Sequence, residues 1–392
     1  MALSSYHYIS RVLSGRPFGD GRDGALVISS NTTQSLTVKS CSGTSGTTTV
    51  TLGSAGFSNS DVVVIHQTRG TGAGNWEINM VSSGGGTTSL TMAVALANTY
   101  TDSGASQAQI FKLPMYTTVT VNNGINWSGT DWDGDINGFL AFAANVSTTL
   151  TGTAKLNGVT GGFPNPVGNG GGFRGGNGLS SAECGEGTSG AVAVQSAANG
   201  NGGGGAVRGN QYAAGGGGGN GTAGSNGGSN GGTSVGGTGG TTGGNAGLTS
   251  LVFGGGGGGA AGAGGETLAD GGTGAGAMMI FTRSLTVTGG INTNGGASAT
   301  ATGNTNASAG AGAGGSILLQ VGSATLGSSL ITASAGVAGT APTTGINGGN
   351  GGVGRIAIYH SGTVTGTTSP TYNDTTDSSL IESGGSFLFN LL

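Results

Sequence analysis

The sequence predicts an all-β protein with almost no α-helix. A short-strand N-terminal β domain precedes repeated β units and a central glycine-rich region. Three observations lead there. Short β-branched stretches alternate with Gly, Asn, Ser and Asp along residues 1–125, the spacing that short strands and turns require. No apolar pattern keeps a helical period beyond two turns. Glycine supplies 93 of the 392 residues, and only 7% are charged. With 6 prolines and no Gly-X-Y period, a collagen triple helix is excluded.

Residues 1–125 hold ALVISS, SLTVKS, TTTVTLG, DVVVIHQT, WEINMVS, SLTMAV, AQIFKLP and TTVTV. They read as short antiparallel strands of a domain for attachment or assembly. Residues 126–277 read as a glycine-rich display region. It opens with the strand-like FLAFAANVSTTL from Phe139, and glycine then dominates, with uninterrupted runs at Gly215–Gly219 and Gly254–Gly259. Inserts such as FPNPV, LSSAECGE, AVRGNQYAA and LTSLVF separate the runs. Residues 278–392 return to strands. FLAFAAN from Phe139 resembles MMIFTRS from Met278, SILLQV from Ser316 and RIAIYH from Arg355, and glycine stands at or just before the start of each. One strand–turn–strand unit is therefore expected four times, with glycine-rich excursions between copies.

Ordering glycine costs about 1–2 kcal/mol per residue in backbone entropy, and glycine brings no side chain to bury. The compensation must come from backbone hydrogen bonds and close backbone contact. Two architectures satisfy that need. In one, extended threefold rods of the polyglycine-II kind turn every N–H and C=O outward to neighbouring rods. In the other, glycine serves only tight bends of a solenoid- or sandwich-like β fold.

Low charge and a hydrophobic fraction of 34% argue for a folded chain over a disordered tether. A net charge of −4, with basic residues scattered singly, offers no patch for a phosphate backbone, so nucleic acid is not an expected partner. The longest apolar runs, such as Val62–Ile65, are too short to span a bilayer. Cys41 and Cys184 lack metal-ligand spacing and read as small buried residues. The opening MALSSYHYISRVLSGRPFGDG has no apolar core behind a basic start, so no secretory signal is expected.

The alternation of glycine runs with variable inserts over residues 161–276 resembles the receptor-binding adhesins at the tail-fibre tips of T-even-like phages. That resemblance implies packed polyglycine helices holding loops against a host outer-membrane protein or glycan. The N-terminal segment departs from the attachment domain of those adhesins. FGDGRDGALVIS, GGGFRGG, GAGGSILL and GGVGRIAIYH are also similar to glycine-rich β proteins of bacterial surfaces and phage fibres. Both resemblances imply a location on the virion tail or outside the cell.

Catalytic motifs are weak. Gly310, Gly312 and Gly315 fit a dinucleotide fingerprint, but a strand-like SILLQV follows where a helix is needed. His7, His66 and His360 lie in or near strand-like stretches without a nucleophile signature, and carboxylates are sparse for glycoside hydrolysis. No catalytic residue and no cofactor are expected. Asp131, Asp133 and Asp135 in DWDGDING place oxygens at alternate positions, the start of a calcium loop. Ile136 stands where such a loop has glycine, and no closing glutamate follows. Recognition energy concentrates on aromatic and arginine side chains. In the inserts these are Arg174, Arg208, Tyr212 and Phe253, with Gln211 beside them. The expected function is therefore a non-catalytic virion or surface protein, most specifically a phage tail adhesin. Its partners would be a host receptor and either other tail proteins or copies of itself. A self-assembling bacterial matrix or filament subunit is the alternative, and a polysaccharide-degrading tailspike the third reading.

Overall fold

The computed structural model describes residue 4 and residues 7–381, apart from 162–169, 210–211, 263–267, 300–306 and 342–345. It is all-β. Helical turns at Ile9–Arg11 and Ser378–Leu380 are of the 3-10 type, and no α-helix occurs among the described residues. No described helix is long and apolar enough to cross a membrane.

Strands β1 (Leu26–Ile28) and β2 (Thr32–Thr33) lead into an antiparallel barrel. Its strands are β3 (Val38–Gly43), β4 (Thr49–Leu52), β5 (Val62–Arg69), β6 (Trp76–Ser83), β7 (Ser89–Met92) and β8 (Gln107–Lys112). They close in the order β3-β4-β7-β6-β5-β8. The continuous apolar run of β5 follows from burial on both faces. Val63 and Ile65 fill the barrel with Cys41, Val50 and Ile110. Val62 and Val64 point outward into a second core shared with Phe139, Met279 and Phe281.

The second sheet is parallel and nearly closed. Its strands are β1 and β2 together with β9 (Met115–Val121), β10 (Asn126–Ser128), β11 (Phe139–Leu150), β12 (Thr153–Lys155), β13 (Ala277–Val287), β14 (Gly290–Asn292), β15 (Ser316–Thr332), β16 (Arg355–His360), β17 (Val364–Ser369) and β18 (Asn373–Thr376). Phe139 pairs with Ala277, Ala277 with Ser316, and Ser316 with Arg355. The 17-residue β15 bends the sheet upon itself, because its first half pairs with β13 and its last residues with β14. The order is β1-β9-β11-β13-β15-β14-β12-β10-β2. Leu140, Phe142, Ile280, Leu319 and Ile358 fill the interior with Trp127, Leu150, Val287 and Ile331.

One expectation is corrected here. ALVISS and TTVTV were expected as antiparallel strands, yet β1 and β9 pair in parallel within the second sheet. The barrel lies between them in the chain, and parallel pairing needs such a long crossover.

The glycine-rich excursions between β12 and β13, β14 and β15, and β15 and β16 pack side by side, backbone on backbone. Gly254, Gly257 and Ala260 donate to Ala275, Gly272 and Ala269. Gly255, Gly258 and Ala261 donate to Gly219, Gly216 and Ala213, while Gly256 and Gly259 donate to Glu186 and Glu183. Every third residue therefore serves the same neighbour. The carbonyls repeat the pattern towards three other segments: Gly254, Gly257 and Ala260 accept from Phe173, Gly176 and Leu179, Gly256 and Gly259 from Gly203 and Ala206, and Gly255 and Gly258 from Ala313 and Gly310. The stretch 254–261 thus has six bonded neighbours.

Such contact leaves no room for side chains. A Cβ on Gly255 would lie 1.8 Å from the Asn201 carbonyl oxygen, and one on Gly256 1.9 Å from that of Arg174. Ala214, Ala260, Ala269, Ala307 and Ala309 form a small buried cluster with Ala299 and Ile346.

Candidate recognition surface

The bonding register gives the packed segments two distinct ends. At one, Gly276, Gly315 and Gly354 run directly into β13, β15 and β16. At the other the chain only reverses. Segment 173–179 rises alongside 254–260 and the chain descends again through Glu183 and Glu186. Val207 and Ala213, Gly228 and Val235, Ala261 and Ala269, Ala299 and Ala307, and Val337 and Ile346 lie at that same end, each pair on segments that run in opposite directions.

Val207 and Val235 sit directly opposite each other there, exchanging N–H···O bonds of 2.8 and 2.9 Å. Val207 also bridges to Ser181. Val235 is 50% exposed and Leu179, at the neighbouring reversal, 45%. Arg208 follows Val207 and is exposed. Tyr212 is half-buried and packs against the alanine cluster. The arrangement places exposed apolar side chains and the Arg208 guanidinium at one end of the packed segments. Leu179 and Val235 were not singled out from sequence. Their signal was present as lone branched apolar residues among glycine and serine, where no core of their own exists.

The other expected recognition residues lie elsewhere. Gln211 lies outside the described residues. Phe253 is fully buried, which corrects its expected place on the binding surface. Its ring stands 5.1 Å from Phe139, 5.5 Å from Phe173 and 5.6 Å from Trp132, so it joins the excursions to the sheets. Arg174 is at the strand end of its segment and not at the reversals. Its Nε donates to Glu186 Oε2 at 3.0 Å, and its backbone N–H to the same oxygen at 3.2 Å. Glu186 also accepts from Trp132 Nε1 at 2.9 Å and pairs with Arg69 of β5.

Asp131, Asp133 and Asp135 occupy the turn before β11. Asp133 Oδ1 accepts the backbone N–H groups of Asp135 and Ile136 at 2.9 and 2.8 Å, and Oδ2 the Asn137 amide at 3.2 Å. Burial raises the Asp131 carboxyl above its usual range. Burial and the nearby Asp102 and Asp133 do the same for Asp135. Among the described residues, no group of three or more His, Cys, Asp or Glu could hold a metal ion.

His66 is buried, with Nε2 2.8 Å from the Leu251 carbonyl oxygen and Nδ1 2.9 Å from Thr68 Oγ1. Nε2 must carry the proton to donate to a carbonyl, which leaves Nδ1 to accept from the hydroxyl. Burial lowers its pKa to about 4, so the ring is a neutral structural group. His360 Nε2 meets Asp374 Oδ1 at 2.9 Å.

No protein-family model matches the chain, and no curated protein matches it.

Proposed function

We propose that this chain is a non-catalytic adhesin of a virion tail or cell surface, which presents short recognition loops on a rigid glycine lattice. On this reading the glycine segments are packed polyglycine-II rods. The parallel strands form a β-solenoid of repeated units into which the barrel and the rods are inserted. The barrel side mounts the protein, and the reversals between rods meet the host receptor.

The observation that carries the reading is the threefold bonding of 254–261 to six neighbours. A threefold extended helix directs successive amides about 120° apart, which gives that pattern. A twofold strand would alternate between two neighbours. A lattice of this kind holds its loops without side-chain packing, so loop sequence is free to follow the receptor. The exposed Leu179, Val235 and Arg208 suit such a contact.

The test is adsorption. Purified chain added to host cells should compete with virions that carry it, and Leu179→Ser with Arg208→Ala should reduce that competition at least tenfold. Undiminished competition by the double variant removes these residues from the contact. Filaments formed by the purified chain alone, with no competition, would favour the matrix-subunit reading.

A further inference from the structure

We propose that the cleft holding Arg355, at the start of β16, binds the carboxylate of a small organic acid. The cleft lies at the strand end of the packed segments, away from the reversals, and the proposal does not rest on the adhesin reading.

Arg355 differs from every other arginine of the chain. Arg11 pairs with Glu77, Arg22 with Asp20, and Arg69 and Arg174 with Glu186. Arg16, Arg208 and Arg283 are exposed. Arg355 is half-buried, yet it forms no ion pair with any described residue. Its Nε donates to the Gly243 carbonyl at 2.9 Å, which anchors the guanidinium. The N–H groups of Nη1 and Nη2 meet no acceptor among the described residues. Asp374 on the adjoining strand β18 turns instead to His360, with Oδ1 2.9 Å from Nε2. Burial lowers the Arg355 pKa, as it does for a cation drawn from water with no anion beside it. A guanidinium in that position favours an anion supplied from outside.

The cleft has a volume of about 180 Å³. Sites for drug-sized ligands run to roughly 300–1,000 Å³, so the occupant is a fragment-sized molecule. Ala246, Val353, Ile356 and Pro370 give the cleft an apolar wall, and Thr371 adds a hydroxyl.

Two observations select a carboxylate over a phosphate. Among the described residues, Arg355 is the one charged side chain lining the cleft. It balances a single negative charge and would leave the second charge of a phosphate dianion uncompensated. Phosphate sites also draw on open backbone N–H groups. Here those of Gly221, Val353, Gly354 and Arg355 already donate to protein acceptors, at 2.8, 3.0, 2.7 and 2.9 Å. A carboxylate needs only the planar fork, which it meets with two parallel N–H···O bonds. Its carbon body then lies against the apolar wall.

Ligand-observed NMR titration of the full chain with benzoate, hexanoate and glucuronate tests the idea. Benzamide serves as the neutral counterpart and inorganic phosphate as the dianion. At least one carboxylate should show saturable line broadening, and benzamide should show none. Phosphate at equal concentration should not displace the bound carboxylate. Arg355→Gln should weaken binding by about tenfold or more. Arg355→Lys keeps the charge without the fork and should weaken it by about threefold or more. Ala246→Phe leaves Arg355 in place and fills the cleft, so it should weaken binding as much as Arg355→Gln does. Leu179→Ser with Arg208→Ala should leave binding unchanged, which separates this cleft from the lattice reversals. Absence of binding by all three carboxylates overturns the proposal, as does equal binding by the folded Arg355→Gln protein. Displacement by phosphate at equal concentration overturns the choice of carboxylate.

Discussion

Arg69 on barrel strand β5 and Glu186 in the glycine lattice form an ion pair whose side chains are 6% and 0% exposed. Trp132 and Arg174 complete the shell around the same carboxylate. One anion therefore ties together the barrel, the segment before β11 and the lattice. It lies near the strand end of the lattice, away from the reversals.

Removing that anion leaves Arg69 buried without its partner. Glu186→Gln should cost about 3–5 kcal/mol, the usual penalty for breaking a buried pair from one side. The combined Arg69→Met and Glu186→Leu change should recover part of the loss, since the Arg69 charge goes with its partner, while Arg174 and Trp132 Nε1 still lose their acceptor. Denaturant midpoints of the three proteins check this.

Glycine should be replaceable only where backbone does not press upon it. A Cβ on Gly256 falls 1.9 Å from a carbonyl oxygen, whereas on Gly228 the nearest atoms are 3.5 Å away. Gly256→Ala should destabilise by about 3 kcal/mol or more, as overpacking does. Gly228→Ala should be neutral or stabilising by about 0.4–1 kcal/mol through the unfolded chain. Thermal unfolding of the pair measures the contrast.

Acid should weaken the fold through its buried imidazoles. Burial lowers His66 from 6.5 to about 4, and His7 likewise. Between those values the unfolded chain takes up protons that the folded chain refuses, so stability falls as pH falls through that window. For His66 the loss is about 3 kcal/mol. His66→Gln should flatten the slope of urea stability against pH from about 6.5 down to about 4.

Amide exchange reads the lattice directly. All N–H groups from Gly254 to Ala261 are bonded inside the packed segments, so deuterium uptake should be slow at every position and not at alternate ones. Fast uptake throughout would mean that the segments do not hold the reversals in place.

The sequence was informative wherever side chains set the period. ALVISS through TTVTV all became strands, because β-branched alternation and turn residues act locally. Pairing partners were harder to read: nothing within TTVTV says that β9 will lie parallel to β1 across an intervening barrel. The Phe253 ring was misplaced for a related reason. An isolated aromatic among glycines looks displayed until Phe139, Phe173 and Trp132 are brought to it from distant parts of the chain. Glu186 was invisible as a hub, since its partners Arg69 and Trp132 lie far away in sequence and no local motif links them. The Val207–Val235 pair was equally hidden, because backbone pairing between glycine-rich segments leaves no side-chain pattern to follow.

Because 254–261 addresses each neighbour once in three residues, its length is quantised. Deleting one glycine would rotate every later amide by about a third of a turn and aim it at the wrong segment. Deleting three would leave each remaining amide facing the same neighbouring segment, one repeat further along it. The glycine tracts can therefore grow or shrink only in triplets, while the inserts that join them are free to vary one residue at a time.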